Sequence, residues 1–196
     1  MKGEDGVKKG IVIGICVLLL IIMAGGALFL YHQNRSGFTA EEIPFGLTWG
    51  MSEEEVEERM FEQNGYCSTR KVNNLMLFED ISWKQKDLFI YGSFEESGLS
   101  GITVNIYVKA EKEKDSVAKH LESVYKKADS VEVLMESDED YRMYIMEDKV
   151  VVIDKLSDMV LFSVDAIAVH DNGEYNAAID TYREAKAAGK KTVYVP

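Results

Sequence analysis

Residues 131–164 read VEVLMESDEDYRMYIMEDKVVVIDKLSDMVLFSV, and this stretch decides the fold class. Four apolar runs, VEVLM, YRMYIM, KVVVI and MVLFSV, are separated by the short polar turns ESDED, ED and KLSD. β-Branched and aromatic runs bounded by such turns are strand signals. Connections this tight join antiparallel neighbours, because parallel strands need a crossover of about a dozen residues or more.

Working upstream, Val117, Leu121, Val124 and Ala128 stand at i, i+4, i+7 and i+11, with Asp115 before them and Lys126 and Lys127 after. That spacing predicts a helix with one apolar stripe and a cationic last turn. Before it, ITVNIYV alternates Ile102, Val104, Ile106 and Val108 with Thr103, Asn105 and Tyr107, the mark of a strand with one wet face. Further runs at Leu75–Phe78 and Asp87–Tyr91 read as strands.

A first helix begins at Ser52, which can cap it, while Glu55 three residues on completes a capping box and Met51 can staple against Val56. Val56 and Met60 form its inner face, and Asn64–Gly65 ends it. Val56 and Met60 map onto Val117 and Leu121 at a shift of 61, and Leu88–Tyr91 onto Val150–Ile153 at a shift of 62. The expectation is an α+β domain, an antiparallel β-sheet packed by helices on one face, with a possible helix-plus-meander duplication.

Residues 11–31, IVIGICVLLLIIMAGGALFLY, run without a charge. As a helix they reach about 32 Å, against a bilayer hydrocarbon core of about 30 Å. The apolar run of a cleaved signal is shorter, about 7 to 15 residues, and Leu28–Tyr31 continue past the small patch Ala24–Ala27. Lys2, Lys8 and Lys9 precede the segment and only Arg35 follows closely, which predicts a cytoplasmic N-terminus. The chain therefore divides into a cytoplasmic N-terminus (1–10), a transmembrane helix (11–31), a linker (32–43), an α+β extracytoplasmic domain (44–168) and a C-terminal helix with a short strand (169–196). In that last part Tyr175, Ala178, Ile179 and Tyr182 share a helix face, Gly189 stops the helix, and Val193 and Val195 lie in the strand. The apolar face favours packing back on the domain.

At 196 residues and 46% apolar composition there is room for one core of ordinary size. The formal charge is −12, and residues beyond position 10 hold 19 basic against 32 acidic groups. Nucleic acid and anionic lipid surfaces demand clustered Lys and Arg, so both are poor partners. Cys16 lies in the apolar segment and Cys67 in the polar part, which leaves no intramolecular disulfide.

No catalytic, cofactor-binding or metal-binding residue is assigned. His32, His120 and His170 share no ligand spacing with one another or with a cysteine. Cys67 reads as a buried apolar residue, and a nucleophilic pair with His120 or His170 has no local motif. The acidic runs Glu53–Glu55, Glu95–Glu96 and Glu136–Asp140, and DNGE at 171–174, lack the glycine and closing glutamate of a calcium loop. Gly92, Gly98 and Gly101 read as strand-end turns, and Trp49 and Trp83 as core.

Phe45–Val56, FGLTWGMSEEEV, resembles the G-[MT]-[ST]-x-E-x-V strand-to-helix junction of small bacterial envelope lipoproteins, including the outer-membrane assembly small-lipoprotein family and β-lactamase-inhibitor-like domains. The resemblance implies helices on an antiparallel sheet, an envelope location and action through protein contact. It carries over no functional residue, and the lipobox cysteine and L-G-x-P of those families are missing here. The function expected is a membrane-anchored, non-catalytic interaction or sensing domain with a protein partner. An envelope hydrolase and a structural subunit of a membrane complex are the alternatives.

Overall fold

The computed structural model describes residues 38–40, 43–64, 67–167 and 173–195. Helix α1 (Glu53–Asn64) is followed by β1 (Ser68–Val72), β2 (Leu75–Trp83), β3 (Lys86–Glu95) and β4 (Gly98–Tyr107). Helix α2 (Glu111–Tyr125) is followed by β5 (Val131–Met135), β6 (Asp138–Ile145), β7 (Lys149–Lys155) and β8 (Met159–Ala166). Helix α3 (Gly173–Ala187) and β9 (Thr192–Val195) come last. A helix and four strands thus occur twice, and β5, β6 and β7 each open 63 residues after β1, β2 and β3.

The strands form one sheet in the order β1-β2-β3-β4-β8-β7-β6-β5-β9. The two four-stranded runs meet edge to edge, with Ile102, Val104 and Ile106 of β4 opposite Val164, Phe162 and Val160 of β8. The fold is α+β. The sheet is mixed rather than wholly antiparallel, because β9 pairs parallel to β5, with Val133 opposite Val193. The end of β8 sits beside Asp148 and the start of β9 beside Glu132, through Ile167 N to Asp148 O and Glu132 N to Lys191 O. Both points lie where β7 and β5 begin, so the connection crosses the sheet instead of running its length.

The helices also occupy both faces, not one. Val56 and Met60 of α1 and Val117, Ala118, Leu121 and Tyr125 of α2 join Phe78, Ile90, Val104, Val151, Ile153 and Phe162 in the main core. Ile179 and Tyr182 of α3 pack on the opposite face against Val133, Ile145, Val150 and Val152. Strand β7 is apolar at consecutive positions 150–153, and a strand apolar on both faces needs a cover on both.

Locally, Glu55 N donates to Ser52 Oγ at 3.3 Å, and Ser52 N donates to Glu55 Oε2 at 2.8 Å. Both halves of the capping box are in place. Helix α2 starts at Glu111, earlier than its apolar stripe suggests, and ends at Tyr125, so Ala128, Lys126 and Lys127 fall outside it. The added first turn is anchored by the buried Lys114, whose Nζ donates to the carbonyls of Leu156 and Ser157 at 3.0 Å each.

Packing begins before Pro44. Phe38 and Ile43 are 5% and 7% exposed, and the Phe38 ring lies 4.9 Å from Phe162 and 5.2 Å from Trp83. These apolar side chains bury themselves, where the sequence predicts a polar linker through residue 43. The expected transmembrane segment, residues 11–31, lies outside the described residues, and among the described ones no helix is long and apolar enough to cross a membrane.

Candidate functional site

Strand β2 bears on both places where the described surface is chemically distinctive. A register shift between Phe78 and Ile81, with Asp80 at φ +64°, puts an extra residue into the strand. Met76 and Phe78 face the main core before the bulge and Ile81 and Trp83 face it after. A regular strand would turn Ile81 and Trp83 outward, since side chains alternate with period two.

The two-residue turn after β2 consists of Lys84 and Gln85, both left-handed, at φ +49° and +64°. Hairpin turns of this hand favour Asn-Gly, and a bulky side chain held there stores roughly 1 kcal/mol or more of strain per residue. The turn lays Lys84 over Trp83, with Nζ 4.5 Å from the ring centroid. The same ammonium is 3.3 Å from His120 Nε2, and the imidazole tilts over Trp83 at 5.7 Å. An ammonium only donates, so Nε2 accepts and the imidazole is neutral with its proton on Nδ1. Partial burial, then the charge of Lys84, hold His120 below its ordinary value. The corner is a cleft of about 210 Å³ that also includes Lys86, Glu113, Ser116 and Val117. Lys86 Nζ and Glu113 Oε1 pair at 2.7 Å.

The second place is the sheet face turned away from α1 and α2. Arg70, Leu77, Tyr91, Thr103, Ser163, Val152, Met143 and Val133 are successive partners across eight strands of that face. A neighbouring row runs Phe89, Asn105, Leu161, Asp154 and Tyr141. Helix α3 packs over the β5–β7 part, with a cavity of about 250 Å³ beneath it bounded by Val133, Met143, Val152, Asp165 and Thr181. Over β1–β4 the face carries Leu75 and Tyr107, each 39% exposed, and half-buried Phe89 and Tyr91. Phe89 and Tyr107 meet edge to face at 5.2 Å. Asn105 Oδ1 is buried there with no hydrogen-bond partner among the described residues.

The candidate residues named by the sequence are scattered. Cys67 is buried, and burial, then Glu57 and Asp80 against a hydrogen bond from Thr69, push its thiol up. An activated nucleophile needs the opposite shift. His170 lies outside the described residues. Glu53 pairs with Lys71, and Asp140 with Lys155 at 2.7 Å, so both acidic runs hold structural ion pairs. Among the described residues no group of three or more His, Cys, Asp or Glu is arranged to hold a metal ion. Gly92 and Gly101 are interior to β3 and β4 rather than at strand ends, and a Cβ at Gly101 would come within 2.3 Å of the Asp165 carboxylate. Trp83 is 4% exposed, a core residue whose ring also lines the cleft beneath Lys84. The Lys84–His120 contact spans 36 residues and leaves no spacing signal in the sequence. No protein-family model, curated protein or solved structure matches the chain.

Proposed function

We propose that this chain is a membrane-anchored, extracytoplasmic interaction domain that meets a protein partner through the sheet face over β1–β4. One observation carries the reading. Helix α3 covers that face over the second four-stranded run, while the corresponding surface of the first run presents Leu75, Phe89, Tyr91 and Tyr107. Exposed apolar and aromatic clusters rimmed by polar groups are typical of protein contact surfaces. The buried, unpartnered Asn105 carbonyl would accept a hydrogen bond from whatever covers it.

The anchor rests on the uncharged run 11–31 and the outward orientation on Lys2, Lys8 and Lys9. The repeated helix-and-four-strand order, at a spacing of 63 residues, fits an origin by tandem duplication. The envelope resemblance of Phe45–Val56 agrees with action by contact.

Crosslinking in native membranes tests the reading, comparing the natural chain with Leu75→Asp/Tyr107→Asp and with Phe61→Asp on α1, where Phe61 is 56% exposed. The expected result is a captured protein that is lost with the sheet pair and kept with Phe61→Asp. Equal capture by all three chains would remove the β1–β4 face from the account.

A further inference from the structure

Two basic side chains, Lys84 and His120, point at each other across 3.3 Å, and no described carboxylate is paired with either. Among the described residues the one carboxylate bordering the cleft, Glu113, is taken by Lys86. In a domain with 32 acids beyond residue 10, an ammonium and an imidazole facing one another without a counterion are an unusual pairing. Strained Lys84 and Gln85 hold the ammonium there, and such strain persists where the surroundings over-determine it. The cleft, at about 210 Å³, has room for a small ion, and Ser116 adds a hydroxyl to its border.

We propose that the Lys84–His120–Ser116 cleft, lined by Trp83, is a binding site for a small phosphate-type oxyanion. The anion replaces the direct Lys84–His120 hydrogen bond. His120 takes a proton on Nε2 and donates to one anion oxygen, Lys84 donates to another, and the Ser116 hydroxyl can serve a third. Binding therefore takes up protons and strengthens as pH falls toward the imidazole titration. The charged groups around the imidazole are Lys84 from the β2–β3 turn, Lys86 from β3 and Glu113 from its own helix, and the last two neutralise one another.

The phosphate group can come from solution or from a lipid. The lipid source alone rests on the anchor reading. The solution source stands without it.

The test uses the full chain in non-ionic detergent micelles, with histidine side chains isotopically labelled and the His120 signal assigned by its loss in His120→Gln. The micelles receive inorganic phosphate in one arm and phosphatidic acid in the other. The site predicts that phosphate raises the midpoint of the His120 titration by about 1 pH unit, as an opposite charge in contact does. Lys84→Gln should weaken phosphate binding by about tenfold, in line with the loss of one charge-assisted hydrogen bond. A response to phosphatidic acid but not to free phosphate would support the site and assign it to lipid. An unmoved midpoint in both arms, or an equal shift in Lys84→Gln, would overturn it.

Discussion

Burial against Trp83 and the ammonium of Lys84 both oppose the charging of His120. The unfolded chain takes its proton near pH 6.5, above the folded-state value. Below about pH 6.5 the unfolded state therefore binds more protons than the folded one, and the contribution to stability is lost as pH falls through the folded value. Lys84→Gln removes one of the two causes, so His120 should titrate higher in that variant and the acid loss of stability should shrink. Histidine NMR and denaturant titrations at pH 5 and pH 8 read both. A second test at this scale is Gly98→Ala. Gly98 has φ +100°, and a Cβ there would sit 2.4 Å from the Gly50 carbonyl oxygen, backbone that cannot swing aside. A loss of about 3 kcal/mol in unfolding free energy is expected. Of these residues, Gly98 could be read as a turn glycine from sequence, but its close approach to Gly50 joins chain segments 48 residues apart. The His120–Lys84 contact was equally hidden, because nothing local to either residue encodes it.

Elements were legible where the signal is local. The Ser52–Glu55 box encodes its own helix start, and both of its hydrogen bonds form. Ser52→Ala should cost about 1 kcal/mol in chemical denaturation without altering the fold. The strands between Val131 and Val164 follow their turns closely, since each turn is too short to permit any other neighbour. Strand β1 was not legible. STRKV has no apolar alternation, and it becomes a strand only because β2 offers it an edge through Thr69–Phe78 and Lys71–Met76. In strand β2 the sequence signal runs only to Phe78, because the bulge resets the alternation before Ile81 and Trp83. The first turn of α2 is hidden in the sequence for a related reason. EKEK looks solvent-facing, and only tertiary structure brings two carbonyls to Lys114.

At the scale of the molecule, the main core unites two helix-and-meander runs through the β4–β8 seam. Phe162 lies at that seam, fully buried, stacked on Tyr125 at 5.8 Å and against Phe38 at 4.9 Å. Phe162→Ala should cost about 4 kcal/mol, a large share of a domain's stability, and calorimetry should show one transition moving down rather than two. The class of fold was readable because helix and strand periods alternate along the chain. The second cover was not, because packing of the C-terminal helix leaves the choice of face open, and only the paired positions of β5–β7 decide it. The central claim is that the α+β domain is displayed outside the cytoplasm. Ser137 is exposed in the β5–β6 turn and Cys67 is buried, so Ser137→Cys in intact cells offers a clean target for a membrane-impermeant maleimide. Labelling of Ser137→Cys without permeabilisation, above that of the natural chain, is the predicted result. Labelling that appears only after the membrane is opened would contradict the account.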